Sequence, residues 1–142
     1  MNLVDANVLL YAVNTDAEHH RAARTWLDRA VAGTTTLAWA WPVLLAFVRI
    51  ATRPGIFPRP LPVEAALQVV RACLEAPSAI VVHPTVQHLD VLATQLAEAG
   101  SGGNLVSDAH LAALAIEHRA TVVTFDRDFE RFGVRTYRPT AP

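Results

Sequence analysis

The stretch NLVSDAHLAALAIEHRATVVTFDRDF, residues 104–129, decides how this chain folds. Asp108 opens a helical run, Ala109–His118, and the apolar segment Thr121–Phe125 follows almost at once and reads as a buried strand. Asp126 stands directly after that strand, and Asp128 lies two residues further on. A helix feeding straight into a buried strand is half of a βαβ unit, so the sheet is expected to be mostly parallel. The amino terminus repeats the pattern: Met1–Val4 is a short apolar run and Asp5 follows it. In an open parallel sheet the carboxyl ends of strands and the start of a nearby helix share one crevice. Asp5, Asp108, Asp126 and Asp128 are therefore expected at one rim.

Working outward, Ala6–Asn14 reads as a short first helix, and Thr15 and Glu18 have capping-box spacing. His20, Ala23, Trp26, Leu27, Ala30 and Val31 then recur at helical period up to Gly33. Thr35–Trp39 is a second strand, and Pro42 suits the first turn of a helix running to about Thr52. Arg53–Pro62, with four prolines, is a stiff surface loop rather than a domain linker. A helix from Val63 stops before Pro77, and Ala79–His83 is a third strand. Thr85 is placed to cap the next helix, with Val86, Leu89, Ala93 and Leu96 inward. Gly100, Gly102 and Gly103 break the chain before Asp108, and Val134–Tyr137 offers a last short strand. The expected architecture is a three-layer α/β sandwich, a central sheet of about five strands flanked by helices, in a single domain spanning residues 1–142.

Bulk properties exclude much. Apolar residues make up 52% and charged residues 18%, as in a folded globular protein. The net charge of −1 gives no global field, so any nucleic-acid surface must be local. A single cysteine, Cys73, rules out an internal disulfide. The longest apolar run, Leu37–Val48, contains Pro42 and is too short to span a membrane, so a cytoplasmic protein without membrane contact is expected. All twelve basic side chains are arginine. Aspartyl-phosphate chemistry leaning on a lysine partner is therefore closed to this chain.

Each of the four aspartates has an ordinary use: turn or cap at Asp5, helix N-terminus at Asp108, strand-end turn at Asp126 and Asp128. Gathered in one crevice, however, carboxylates repel unless protons or a cation intervene, and hard oxygen ligands suit Mg²⁺ or Mn²⁺. The histidines show no zinc-ligand spacing; His110, two residues past Asp108, is the one placed beside the acids, within reach of whatever binds there. Arginines 127, 131, 135 and 138, and arginines 49, 53 and 59 beside the Pro-rich loop, are candidates for phosphate contact.

Taken together, Asp5-Ala-Asn7, Ser107-Asp108-Ala-His-Leu-Ala-Ala and Thr124-Phe-Asp126-Arg-Asp128-Phe129 resemble the three motifs of PIN-domain ribonucleases, most closely the VapC-type toxins of bacterial toxin–antitoxin pairs. The resemblance covers nearly the whole chain. It implies a Mg²⁺- or Mn²⁺-dependent endoribonuclease that hydrolyses RNA phosphodiesters with metal-activated water, leaving 3′-hydroxyl and 5′-phosphate ends. Asp5, Asp108 and Asp126 would be metal-binding acids and Asp128 an auxiliary acid, with Asn7 and Thr124 orienting their neighbours. A tRNA or rRNA substrate, a homodimer and a VapB-type antitoxin are implied as well. The antitoxin's C-terminal segment would enter the catalytic groove, with an apolar groove near Trp41, Phe47 and Phe57 as a docking place. One position departs from the pattern: where the family usually has a glutamate three residues before the arginine matching Arg49, this chain has Ala46. With one carboxylate fewer, a single tight Mg²⁺ site is expected, and a catalytically weakened RNA-binding module is the alternative.

Overall fold

Five strands build one sheet in the computed structural model, which describes residues 1–142. They are β1 (Asn2–Val4), β2 (Leu37–Trp39), β3 (Ala79–Val81), β4 (Thr121–Val123) and β5 (Thr136–Tyr137). Every pairing is parallel and the order is β3-β2-β1-β4-β5. The two segments that carry Asp5 and Asp126 are thus the adjacent strands β1 and β4, with Asn2 opposite Thr121 and Val4 opposite Val123. From β1 the chain winds one way to β2 and β3, then crosses back to β4 on the other side. That reversal opens a crevice at the carboxyl ends of β1 and β4.

Six helices cover the sheet: α1 (Ala6–Val13), α2 (His20–Ala32), α3 (Trp41–Ala51), α4 (Val63–Glu75), α5 (His88–Ala99) and α6 (Val106–Glu117). Side chains alternate across each strand, so neighbouring residues serve opposite cores. Val4, Leu37, Trp39 and Val123 join residues of α1 to α4 in one core. Leu3, Ala38 and Val122 join residues of α6 in the other, with Leu92 and Leu96 of α5 packed against it. At the three central strands both faces are buried, which is why β1, β2 and β4 read as unbroken apolar runs, while β3 and β5 at the edges stay partly exposed. Trp39, Phe47 and Phe129 are the largest fully buried side chains. No helix is long and apolar enough to cross a membrane.

Local details depart from the sequence expectations in instructive ways. The Thr15–Glu18 capping box does not form, because α2 starts only at His20. Thr15 and Asp16 instead take hydrogen bonds from Arg59 Nη2 at 3.0 and 2.5 Å, tying down the Pro-rich loop. The strands are shorter than their apolar runs: the third ends at Val81 and the last begins at Thr136. Helix α5 is rotated from the expected phase. Val86, just ahead of it, is 96% exposed and Leu89 is 75% exposed, while Gln95 is buried and accepts from Gly133 N–H at 2.8 Å. Thr85 does not act as its N-cap; that position is Gln87, and Thr85 turns toward Glu117.

Candidate metal centre

Asp5 leaves the end of β1 and becomes the N-cap of α1. Its Oδ1 accepts from Ala6 N–H at 2.7 Å, as short polar side chains do at helix starts. Its Oδ2 accepts from Asn7 Nδ2 at 3.0 Å and from Thr124 Oγ1 at 2.7 Å. Thr124, just past β4 and buried, is the hub: its hydroxyl also accepts from Asn7 Nδ2 at 3.1 Å and from Asp126 N–H at 3.0 Å. Asn7 Oδ1 completes the stitch by accepting from Phe125 N–H at 3.2 Å. The ends of β1 and β4 are thereby locked together with Asp5 and Asp126 at fixed positions. Asn7 and Thr124 make contacts consistent with the orienting roles that the resemblance implies.

Asp126 caps a short 3₁₀ turn, Arg127–Arg131, by accepting from Asp128 N–H at 2.8 Å. This bond brings Asp128 back beside Asp126. Asp108 lies in the first turn of α6, two residues inside the helix rather than ahead of it. Gly100 closes α5 with φ 70°, and Gly103 has φ 58°; both are left-handed conformations that favour glycine and turn the chain into α6. Carboxylate oxygens of Asp108, Asp126 and Asp128 lie within 4.8 Å of one another. Asp5 stands outside that trio but lines the same cleft as Asp108.

The electrostatics follow from this crowding. Burial, then the charges of Asp5, Asp126 and Asp128, push the Asp108 carboxyl up to about 6. Burial also raises Asp5, and the Asp126 charge adds to the rise, while the hydrogen bonds from Thr124, Ala6 and Asn7 oppose it. Three converging hard-oxygen donors whose mutual repulsion raises a pKa form a donor set that fits a divalent cation.

The cleft holds about 570 Å³ and is lined by Asp5, Ala46, Arg49, Ser107, Asp108 and His110, among others. Arg49 makes no ion pair within the chain. Ala46 lines this cleft, so the carboxylate that the resemblance leads one to expect at that position would have faced the site. Arg127 and Arg138 line a smaller hollow beyond Asp126. Of the three residues expected near an apolar groove, Trp41 is exposed while Phe47 and Phe57 are buried, and a separate apolar groove of about 390 Å³ runs between α1, α2 and α4, lined by Val13, Leu27, Val31 and Val69. Sequence reading also missed a hydrogen-bonded string. Glu117 Oε2 meets His88 Nδ1 at 2.5 Å, and His88 Nε2 meets His110 Nδ1 at 2.9 Å. The partners come from two helices with no motif spacing between them, so no sequence signal marks them.

Thr124→Val keeps the shape and removes the hydroxyl. Asp126 N–H and Asn7 lose an acceptor and Asp5 loses a donor, so a loss of about 2 kcal/mol is expected from leaving buried polar groups unpaired. Urea unfolding measures that loss. Asp5, deprived of the bond that favours its ionised form, should carry the acidic limb of any activity profile to higher pH; an unmoved limb would sink the hub role.

Comparisons with known proteins agree with this geometry. The PIN domain family profile matches residues 3–134. Ribonuclease VapC37 of Mycobacterium tuberculosis is 59% identical over 142 residues, covering 99% of each chain. Among solved structures, Mycobacterium tuberculosis VapC20, described as a sarcin–ricin loop cleaving toxin, superposes with a TM-score of 0.71 at 19% identity, covering 98% of this chain and 100% of that one. VapBC2 of Rickettsia felis, solved bound to a promoter DNA fragment, gives 0.68 at 18% identity with 98% of both chains covered. These two share the fold. The family match and the VapC37 identity go further: the chain belongs to the VapC ribonucleases of the PIN-domain family.

Proposed function

We propose that this chain is the toxin of a toxin–antitoxin pair and a Mg²⁺- or Mn²⁺-dependent endoribonuclease. The observation that carries the metal-dependent reading is the convergence of Asp108, Asp126 and Asp128 within 4.8 Å beside a cleft that also holds Asp5 and Arg49. Asp108, Asp126 and Asp128 would hold the cation, and Asp5, which lines the same cleft, would stand beside them. A bound divalent ion supplies a reactive water at neutral pH and offsets charge on the phosphate. The chain's own residues do the rest. The Thr124 hub holds Asp5 and Asp126 in place, so little reorganisation is needed when substrate arrives. Arg49, unpaired in an acidic cleft, takes a phosphate oxygen that the carboxylates would otherwise repel.

The test is direct. Purified protein with structured RNA, tRNA or rRNA, in Mg²⁺ should yield 5′-phosphate ends, and EDTA should stop cleavage. Tight binding without cleavage in Mg²⁺ or Mn²⁺ would instead favour the weakened-module reading that Ala46 suggests. The convergence of three carboxylates despite Ala46 favours cleavage. We place one tight cation here, and a titration resolving two tight sites would refute that count.

Arg49→Ala should lower kcat/KM by roughly tenfold to a hundredfold and reduce the slope of log affinity against log salt by about 1. An unchanged salt slope would remove Arg49 from phosphate binding.

The partner follows from the family. A VapB-type antitoxin would place a C-terminal segment in this cleft, and the protein would act in the cytoplasm as a homodimer. VapBC complexes among the structural neighbours support the antitoxin partner.

A further inference from the structure

The Glu117–His88–His110 string lies outside the carboxylate cluster and ends in its cleft. Glu117, the last residue of α6, is buried, and it accepts Thr85 N–H at 2.9 Å and Thr85 Oγ1 at 2.6 Å through Oε1 and His88 through Oε2. Burial alone would raise its carboxyl, but the bonds from Thr85 and His88 outweigh that and hold it below the ordinary value, so it is an acceptor with no proton to give. His88 uses its two nitrogens on opposite partners, so the three groups form a line and not a metal cage. The proton order follows from the partners. Glu117 only accepts, so His88 Nδ1 carries a proton; in the tautomer this favours, His88 Nε2 accepts and His110 Nδ1 carries the proton between them. His110 Nε2 is left as a bare lone pair. That nitrogen is buried without a partner in the chain, and His110 is among the residues lining the cleft.

An unpaired buried acceptor is unfavourable until a donor arrives. Phosphate oxygens only accept, so the phosphodiester itself does not satisfy it. Base amino groups donate, but they lie at the far end of the nucleotide from the phosphate that the acids act upon. The 2′-hydroxyl is the donor nearest the phosphodiester, and it is the group that separates RNA from DNA. We propose that His110 is the residue through which this cleft reads ribose: its Nε2, held as an acceptor by Glu117 through His88, takes a hydrogen bond from a 2′-hydroxyl. This rests on the ribonuclease reading for its substrate class. His110 touches the substrate; His88 and Glu117 are positioning residues that act through it.

The experiment measures binding of a fluorescein-labelled, mixed-sequence single strand in three forms of one sequence: RNA, DNA and 2′-O-methyl RNA. Ca²⁺ replaces Mg²⁺ to suppress cleavage. The wild-type protein should prefer RNA over both others by roughly five- to tenfold. His110→Phe keeps a ring of similar shape and should bring the ratio of RNA to DNA affinity down to about 1. Glu117→Gln retains an oxygen for Thr85 but presents an amide donor to His88. This reverses the string and makes Nε2 a donor, which both the 2′-hydroxyl and the 2′-O-methyl oxygen accept. The RNA to 2′-O-methyl gap should then close while the preference over DNA persists. Should His110→Phe not fold, the Glu117→Gln comparison decides alone. An RNA to DNA ratio unmoved by His110→Phe, or a 2′-O-methyl gap unmoved by Glu117→Gln, overturns the proposal. If the ratios move as expected yet Mg²⁺ and Mn²⁺ give no cleavage, the ribonuclease reading fails and ribose recognition stands; cleavage with unmoved ratios is the reverse.

Discussion

Asp108→Asn is expected to abolish cleavage, by roughly a thousandfold or more, while making the metal-free protein more stable. The two effects have one cause. Burial and three neighbouring carboxylates raise the Asp108 carboxyl from 3.8 to about 6. At 1.36 kcal/mol per tenfold change in acidity, the ionised form at neutral pH carries about 3 kcal/mol of unfavourable energy. Asp108 is half-buried, and solvent screening cuts this to about 1–2 kcal/mol. Loss of a carboxylate from the first turn of α6 gives back about 0.3–1 kcal/mol of favourable dipole interaction. Burial and repulsion together still outweigh that loss, so the thermal midpoint should rise by roughly 3 °C in EDTA. The sign runs against the usual aspartate. The folded protein binds this proton more tightly than the unfolded chain, so stability is fullest below pH 3.8 as far as this group is concerned and falls as pH rises through about 6. Asp108→Asn should flatten that fall. Added Mg²⁺ should stabilise the wild type and leave the variant nearly unmoved, because a cation binds the folded state through the charge that was removed. An unfolding midpoint in EDTA that drops on substitution would refute the argument from burial and repulsion, whatever happens to cleavage.

How far the site was legible depends on whether local chemistry or packing sets each position. Asp5 and Asp126 were readable because each ends an apolar strand, and parallel order places such ends at one rim. The resemblance makes Asp128 only an auxiliary acid. Its place in the trio comes from a backbone bond to Asp126 within a 3₁₀ turn, and an Asp-Arg-Asp spacing does not announce that turn. Helix α5 shows the limit of periodicity. Its apolar residues lie on several faces, so the pattern does not fix its rotation, and the buried bond from Gly133 N–H to Gln95 does. That choice leaves Leu89 outward while Leu92 and Leu96 pack toward the core. The histidine string lies beyond sequence reading altogether, since α5 and α6 must be packed together before His88 meets Glu117 and His110. The Thr15–Glu18 spacing misleads for a simpler reason: a capping box needs a helix that starts just after Thr15, and α2 starts at His20.

Phe129→Ala should be the most damaging substitution outside the acids, and it ties the core to the chemistry. Phe129 is the one buried side chain of the 3₁₀ turn that presents Asp128, and it is fully enclosed. It shares a core with Leu105 and Ala109, which flank Asp108, and with Val122 of β4, and it packs edge-on against Phe132 at 5.8 Å. One ring therefore braces the elements carrying Asp108, Asp126 and Asp128. Truncation to alanine removes its burial and leaves a cavity that these short connections cannot fill, at a cost of about 3–5 kcal/mol. A domain of ordinary stability holds about 5–15 kcal/mol in all, so the thermal midpoint should fall by roughly 10 °C and the protein should remain folded only when cool. Cleavage measured well below that midpoint should still be down by about a hundredfold, because a displacement near 1 Å at the carboxylates costs that much. Phe129→Leu fills most of the space and should recover the larger part of both. A Phe129→Ala protein that unfolds within a few degrees of wild type would show that the turn is held by its own backbone bonds. A cool, folded variant with full activity would show that Asp128 does not depend on the core for its position.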